Sequence, residues 1–169
     1  MDKEDQKFIS AFNKKSAIKE GHSHLVYLPS GQEVFLLGVS EKKKWNHRRA
    51  IVLSRRVVAV ARKEREKNIA LNLEDFTSLD FKLGLPALSE ILATHFEMAN
   101  FEFTHYKETP KSGWNFVEEI NVFSRHSPKS VAQSLAAGKI IGEEINKARV
   151  LSNTPGGDMT PARLAEEAV

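Results

Sequence analysis

Two histidines one residue apart, His22 and His24, are the side chains of this sequence best suited to bind a metal ion. Side chains alternate along a strand, so a pair with this spacing directs both imidazoles to the same face. Metal-dependent hydrolases, however, bring several carboxylates together around the ions and leave one position open for water. The sequence has no third ligand close to the pair, no HExxH motif and no cysteine. We therefore interpret the histidines as a surface pair and predict no catalytic and no metal-binding residues in this chain.

Glycine-rich loops that could hold a phosphate group through backbone N–H groups are the second kind of site to consider. The nine glycines form neither a GxGxxG motif nor a Walker A motif. The one adjacent pair, Gly156-Gly157, lies in a TPGGD segment that is typical of a turn between helices. The carboxylate of Asp158 would also repel a phosphate. The sequence therefore does not indicate a nucleotide or ADP-ribose site.

A basic stripe, defined as the pairs Arg48-Arg49, Arg55-Arg56 and Arg62-Lys63, recurs every seven residues. On a helix, seven steps end about 20° short of two turns and about 10.5 Å further along the axis, so the pairs line up. Such a stripe suits an anionic partner, including the phosphate backbone of a nucleic acid. A solvated face opposite an apolar face, or a subunit contact, explains the same pattern, and no aromatic residues alternate with the charges. We favour solvent or a subunit contact and keep the nucleic-acid partner as the alternative.

Composition and charge place the chain among soluble globular proteins. It has 169 residues, of which 41% are hydrophobic and 28% charged, and a net charge of +3. No apolar run approaches the length of about 20 residues that spans a bilayer. The N-terminus is charged and lacks the apolar region of a secretory signal, and there is no cysteine for a disulfide framework. These features predict a cytoplasmic protein with no membrane partner.

The elements that must position any site follow from hydrophobic periodicity. Two apolar runs, 24–28 and 33–40, flank a PSGQ turn and predict a hairpin. Residues 46–67 have apolar positions at steps of three and four, so we expect a helix that buries Leu53, Val57 and Val60 and turns the basic stripe outward. Further strands and helices are predicted at 69–73, 85–101, 115–123 and 128–151. The predicted fold class is α/β, with three layers and a mixed, mostly parallel sheet flanked by helices.

The end of the chain carries a start signal for another helix. Asn153 to Gly157 would end the preceding helix, and Thr160-Pro161 is a suitable N-cap and first-turn pair. The remaining residues give a helix of about nine residues, which is marginal in water unless it docks or continues. Its apolar residues, Leu164, Ala165 and Ala168, would need a partner surface. We expect residues after Pro155 to be frayed or held by incidental contacts.

Two stretches of the sequence resemble the leucyl (cytosol) aminopeptidase family. The first, from Ala148 to Pro161, reads AR-x-L-x-NTP-x-x-D-x-TP and is similar to the junction between the two domains of that family. The second, from Leu92 to Lys107, has a helix rich in small residues, then an aromatic-x-Phe step and a Tyr-Lys pair. The resemblance extends from about Leu85 to the end of the chain. The junction motif comprises Arg149, Asn153, Pro155, Thr160 and Pro161.

The resemblance implies an N-terminal domain related to macro domains, a connecting helix and a larger catalytic domain. On this basis we expect residues 1–127 to form the macro-like domain, 128–151 the connecting helix and 152–169 the first turns of a truncated catalytic domain. The family's NTDAEGR signature, which carries metal and catalytic groups, does not occur in this chain.

The resemblance also implies what the parent protein does. It would be a metalloaminopeptidase that uses two divalent ions, zinc or manganese, to hydrolyse peptides from the N-terminus, and it would assemble as a homo-hexamer. The partner of this chain would be its own catalytic domain, and the chain alone would hold no cofactor and have no activity. The alternative is a non-enzymatic module that binds nucleic acid through the basic helix 46–67.

Overall fold

The computed structural model describes residues 3–15, 18–39, 41, 45–77, 79, 82–125 and 128–168. The chain divides into two compact units, Met1–Trp45 and Asn46–Val169. Helices and strands occur in both units, so the fold is mixed α/β. No helix among these residues is long and apolar enough to cross a membrane.

The first unit contains a helix and a hairpin. Helix α1 covers Lys3–Lys15, and strands β1 (Ser23–Tyr27) and β2 (Glu33–Leu37) pair antiparallel, with Leu25 opposite Phe35. The turn is closed by hydrogen bonds from the Leu28 N–H to the Gln32 carbonyl and from the Gly31 N–H to the Leu28 carbonyl, both 2.8 Å. The predicted hairpin is therefore confirmed.

The second unit contains five helices and a parallel pair of strands among the residues that the structure describes. Strand β3 pairs parallel with β4, with Ala70 opposite Asn121. The chain passes through two helices between these strands. The elements are α2 (His47–Glu64), β3 (Asn68–Asn72), α3 (Leu73–Thr77), α4 (Leu85–Asn100), β4 (Glu119–Phe123), α5 (Pro128–Asn153) and α6 (Pro161–Glu167).

Helix α2 forms where its periodicity predicts, but its buried face differs from the expected one. Leu53 is buried as expected, whereas Val57 and Val60 are only half-buried and Val58 is fully buried. Ser54 takes a core position because its hydroxyl donates a hydrogen bond of 2.7 Å to the Ala50 carbonyl oxygen. A buried serine that satisfies itself within the helix is invisible to a hydropathy pattern, so the pattern placed the face one residue away.

Helices α4 and α5 pack closely because α5 carries glycines where it crosses α4. A Cβ atom at Gly142 would lie 2.8 Å from the Thr94 carbonyl oxygen, and one at Gly138 would fall on the Glu90 carbonyl oxygen. Distances this short do not occur between real atoms, so only glycine lets the two backbones approach here. The same face of α5 also buries Val131.

Substitution of Gly138 tests this close packing. Alanine is a better helix former than glycine by about 1 kcal/mol, so an uncrowded change would stabilise α5. Because the added methyl group collides with backbone, we expect Gly138→Ala instead to lower the free energy of unfolding by about 1–3 kcal/mol. Urea denaturation measures the difference, and Gly156→Ala, where no neighbouring atom lies within 4 Å, is the control. An increase in stability for Gly138→Ala would contradict the packing.

Candidate functional site

The C-terminal turn of α4 is joined to two neighbouring helices by side-chain hydrogen bonds. The last carbonyl groups of a helix have no partner within the helix, and α4 has no basic residue in its last turn to satisfy them. Neighbouring helices supply the donors. The carbonyl oxygen of Glu97 accepts from Asn146 Nδ2 at 3.0 Å, that of Met98 from Arg149 Nη1 at 2.9 Å, and that of Ala99 from Arg62 Nη1 at 3.1 Å.

Arg149 on α5 joins the end of α4 to the segment that follows it. Its guanidinium carbon lies 4.1 Å from the ring centroid of Phe101, the first extended residue after α4. The guanidinium also donates a hydrogen bond of 3.0 Å to Asn146 Oδ1 on its own helix. The planar group thus stacks on an aromatic ring and donates to a backbone carbonyl at the same time, which a lysine cannot do.

Arg62 on α2 holds the opposite side of the same turn. Its Nε donates to the Asn115 carbonyl oxygen at 2.7 Å, and its Nη2 forms an ion pair of 2.7 Å with Glu102 Oε2. The guanidinium carbon lies 5.3 Å from the centroid of the Phe116 ring. Asn115 returns a hydrogen bond of 2.5 Å from Nδ2 to the Arg62 carbonyl oxygen. Only 20% of the Arg62 side chain is exposed, so this member of the basic stripe is turned toward the protein.

The carboxylate of Glu102 lies between two cations. Burial alone would raise its pKa, but hydrogen bonds from Lys107 Nζ (3.3 Å) and from Arg62, with their positive charges, bring the pKa below the ordinary value of 4.5. The ionised form is therefore the one that the folded chain stabilises.

Asn100, the last residue of α4, connects the turn to the sheet. Its Nδ2 donates to the Val117 carbonyl oxygen at 2.7 Å, and its Oδ1 accepts from the Val117 N–H at 2.9 Å. Strand β4 begins two residues after Val117, and the N–H groups of Glu118 and Glu119 both bond to the Lys67 carbonyl oxygen. The segment between α4 and β4 is thus fixed at both ends.

The turn between α5 and α6 contacts the same segment. The hydroxyl of Tyr106 donates a hydrogen bond to Asp158 Oδ2. The turn itself is closed by hydrogen bonds of 2.9 Å from the Asp158 and Met159 N–H groups to the Pro155 carbonyl oxygen. Thr160 caps α6 by accepting the Arg163 N–H at 3.2 Å, as its position in the sequence predicted.

Comparison with known proteins identifies the relatives of this chain. No protein-family model matches it. The chain is 25% identical over 146 residues to a "Probable cytosol aminopeptidase" of Bacillus licheniformis, and 26% identical over 147 residues to a protein of the same description in Bacillus subtilis. Each alignment covers 85% of this chain and 29% of the relative. The chain matches the N-terminal part of leucyl aminopeptidase.

A solved structure of leucyl aminopeptidase has the same fold. A lysine-to-glutamate mutant of the tomato enzyme superposes with a TM-score of 0.73 at 22% sequence identity, over 96% of this chain and 32% of that one. The chain therefore spans less than a third of the length of the leucyl aminopeptidases that it matches.

The two stretches that carry the leucyl aminopeptidase resemblance contact each other in the structure. Arg149 of the junction motif contacts Phe101 and Met98, and Asp158 contacts Tyr106. The remaining motif residues shape the turn: Asn153 is the last residue of α5, Pro155 supplies the acceptor carbonyl, and Pro161 follows the Thr160 cap. Motifs about 50 residues apart in sequence thus form one junction, centred on the C-terminal turn of α4.

The basic stripe is not one uniform surface. Arg48 and Arg55 are exposed, Arg49 and Arg56 are half-buried, and Lys63 pairs with the adjacent Glu64 at 3.3 Å. Nothing in the comparisons or in the described contacts supports the nucleic-acid alternative.

Arg55 of the basic stripe donates from Nε to His95 Nδ1 at 3.4 Å. Burial lowers the pKa of His95, and the positive charges of Arg55 and His47 lower it further, which favours the neutral imidazole as acceptor.

The predicted surface histidines are exposed, and the ring of His24 lies 6.3 Å from that of Phe12. Within the described ranges, no group of three or more histidine, aspartate or glutamate side chains could hold a metal ion.

Sequence reasoning missed the polar residues at and around the end of α4 that lie outside the junction motif. Asn100, Asn146 and Glu102 act on partners between 17 and 49 residues away, and polar residues at helix surfaces have no local signal of this role. One feature of the sequence could have indicated them. No glycine follows α4 to cap it, so donors from other elements are needed for its last carbonyl groups.

Replacing Arg149 by lysine tests the bond between α5 and the end of α4. Lysine keeps the charge but loses the stacking on Phe101 and the rigid geometry of the donors. We expect Arg149→Lys to lower the free energy of unfolding by about 1–3 kcal/mol in urea denaturation, because a part-buried carbonyl group loses its partner. Arg48→Lys on the exposed face of α2 is the control and should change stability by less than about 0.5 kcal/mol. Equal effects of the two substitutions would argue against a special role of Arg149.

The lowered pKa of Glu102 predicts how stability depends on pH. A carboxyl group whose pKa is lower in the folded chain stabilises the fold above its ordinary value of 4.5, and this contribution disappears as the pH falls through the lowered pKa. Glu102→Gln should therefore be less stable than the original chain at pH 7, and the gap should narrow below pH 4.5. Urea midpoints measured between pH 7 and pH 3 check this. A gap that is constant over that range would rule out the ion pair as its cause.

Proposed function

We propose that this chain is the N-terminal, non-catalytic domain of a metal-dependent leucyl aminopeptidase that removes N-terminal residues from peptides. The observation that carries the proposal is the alignment of 85% of the chain with 29% of two cytosol aminopeptidases. A second support is the junction at the end of α4, where the two stretches that resemble the family contact each other.

The domain boundaries of the proposal are those of the sequence resemblance. Residues 1–127 form a macro-like α/β domain with three layers and a mixed, mostly parallel sheet flanked by helices. Residues 128–151 form the connecting helix, and 152–169 begin the catalytic domain. The observed α5, with 26 residues, supports the second boundary, since a helix of that length extends about 39 Å. Helix α6, with no buried residue, supports the third, since its apolar side chains have no covering surface among the described residues.

The proposed chemistry belongs to the catalytic domain. Two divalent ions, zinc or manganese, would activate water there and polarise the peptide carbonyl group. The described residues of this chain do not fit such a site, because they bring no three potential ligands together and the sequence has no cysteine. The remaining parts of the proposal are assembly of the parent as a homo-hexamer and its location in the cytoplasm.

Activity measurements on two polypeptides test this function. We expect the purified chain to hydrolyse no leucyl p-nitroanilide with zinc or manganese added, because the residues that the structure describes bring no three potential metal ligands together. The complete natural reading frame that contains the chain should hydrolyse the same substrate, and a chelator should abolish its turnover.

Two results would overturn the proposal. One is chelator-sensitive turnover by the purified chain that remains through repeated purification. The other is a complete reading frame that folds but shows no aminopeptidase activity with either metal. An authentic leucine aminopeptidase, assayed in parallel, shows that substrate and metals are competent.

A further inference from the structure

A side-chain hydrogen bond joins the turn between α5 and α6 to the segment that follows α4. The hydroxyl of Tyr106 donates to the carboxylate of Asp158 across the surface. A hydrogen bond to an ionised acceptor is stronger than one between neutral groups, even where water competes. Asp158 is itself fixed, since its N–H bonds to the Pro155 carbonyl oxygen at 2.9 Å.

The backbone at Tyr106 has a conformation that is unfavourable for a residue other than glycine. Its φ is +65°, in the left-handed region that residues other than glycine rarely adopt. Such a conformation persists only where surrounding contacts determine it. The centroids of the Phe103 and His105 rings lie 6.1 and 6.0 Å from that of the Tyr106 ring, so aromatic neighbours surround the tyrosine.

Packing does not fix the direction of α6. Every described residue of α6 is exposed, and Leu164 retains 47% of its accessible surface. The cap by Thr160 starts the helix but bonds only within it. The direction of α6 therefore depends on the turn that precedes it. Two contacts hold this part of the chain to the segment 101–106: Arg149 contacts Phe101 before the turn, and Asp158 contacts Tyr106 within it.

We propose that Tyr106 and Asp158 form a clasp that sets the direction in which α6 leaves α5. Both are positioning residues, since they act on the orientation of the following chain and on no substrate. The clasp stands on the contacts described above. Its consequence, that it aligns a catalytic domain with this one, rests on the proposed function. The clasp is measurable on the chain by itself, so its failure and that of the proposed function are distinguishable.

A matched pair of tyrosine substitutions tests the clasp. The chain has two tyrosines, and Tyr106 and Tyr27 are 64% and 63% exposed, so Tyr27→Phe is the control for Tyr106→Phe. Residual dipolar couplings report whether the N–H vectors of α6 share one alignment with those of α4 and α5. In contrast to the fraying after Pro155 that the sequence alone predicts, the Tyr106–Asp158 contact leads us to expect a shared alignment in the original chain and in Tyr27→Phe. In Tyr106→Phe the couplings of α6 should shrink toward zero. The amides of Asp158 and Met159 should exchange about two- to tenfold faster, the range for loss of one hydrogen bond.

A titration separates the hydrogen bond from a general effect of the substitution. The bond to Asp158 raises the pKa of Tyr106 above its ordinary value of 10.0, because ionisation breaks the bond and places two negative charges together. In Tyr27→Phe, absorbance at alkaline pH follows Tyr106 alone and should show the raised pKa. Adding Asp158→Asn to Tyr27→Phe should lower the pKa of Tyr106. An unchanged alignment of α6 in Tyr106→Phe, or a Tyr106 that ionises at its ordinary pKa in Tyr27→Phe, would overturn the clasp.

Discussion

The arrangement of the second unit depends on the carbonyl groups at the C-terminal end of α4. A helix end leaves up to four carbonyl oxygens without partners, and each costs free energy if it is buried without a donor. Here the chain continues in an extended conformation at Phe101, so no left-handed cap closes the turn. The donors come instead from Arg62 on α2 and from Asn146 and Arg149 on α5. Because α2 and α5 must both reach the same turn, that turn fixes where each helix crosses α4.

Close approach and polar bonding on α5 are parts of one surface. Gly138, Gly142, Asn146 and Arg149 follow one another at steps of four, four and three, which places them on one face of the helix. The glycines let α5 lie against the backbone of α4. At that distance the short amide side chain of Asn146 reaches the carbonyl oxygen of Glu97. The longer side chain of Arg149, about one turn after Asn146 on α5, reaches the carbonyl oxygen of Met98. A larger residue at either glycine would separate the helices and lengthen both hydrogen bonds, so packing and bonding are coupled.

Sequence reasoning predicted the elements better than the bonds between them. Helix α2, the hairpin and the Thr160 cap follow from local signals, since periodicity, turn residues and capping residues act within a few positions. The seven-residue repeat of the basic stripe correctly describes positions on a helix, but it cannot show which of them face a neighbouring element. Arg62 turns inward because Glu102 and Asn115, 40 and 53 residues away, lie across from it. Contacts of this kind require the tertiary structure. The resemblance in two separate stretches was therefore the strongest evidence of function that the sequence carried, and those stretches contact each other in the fold.

The contrast between the two ends of α5 bears on what such a domain contributes to an aminopeptidase. Local stability follows the density of buried contacts, which is high where α4 and α5 pack and low at α6, none of whose residues is buried. A rigid helix such as α5 can fix the direction of the chain that follows it only up to the last residue that makes a fixed contact. Asn153 ends the regular helix, and the Pro155 turn follows it. The polar contacts of the segment 101–106 extend the ordered region across that turn. In the proposed enzyme, this domain would thus contribute through geometry, by holding the start of the next domain at a set angle.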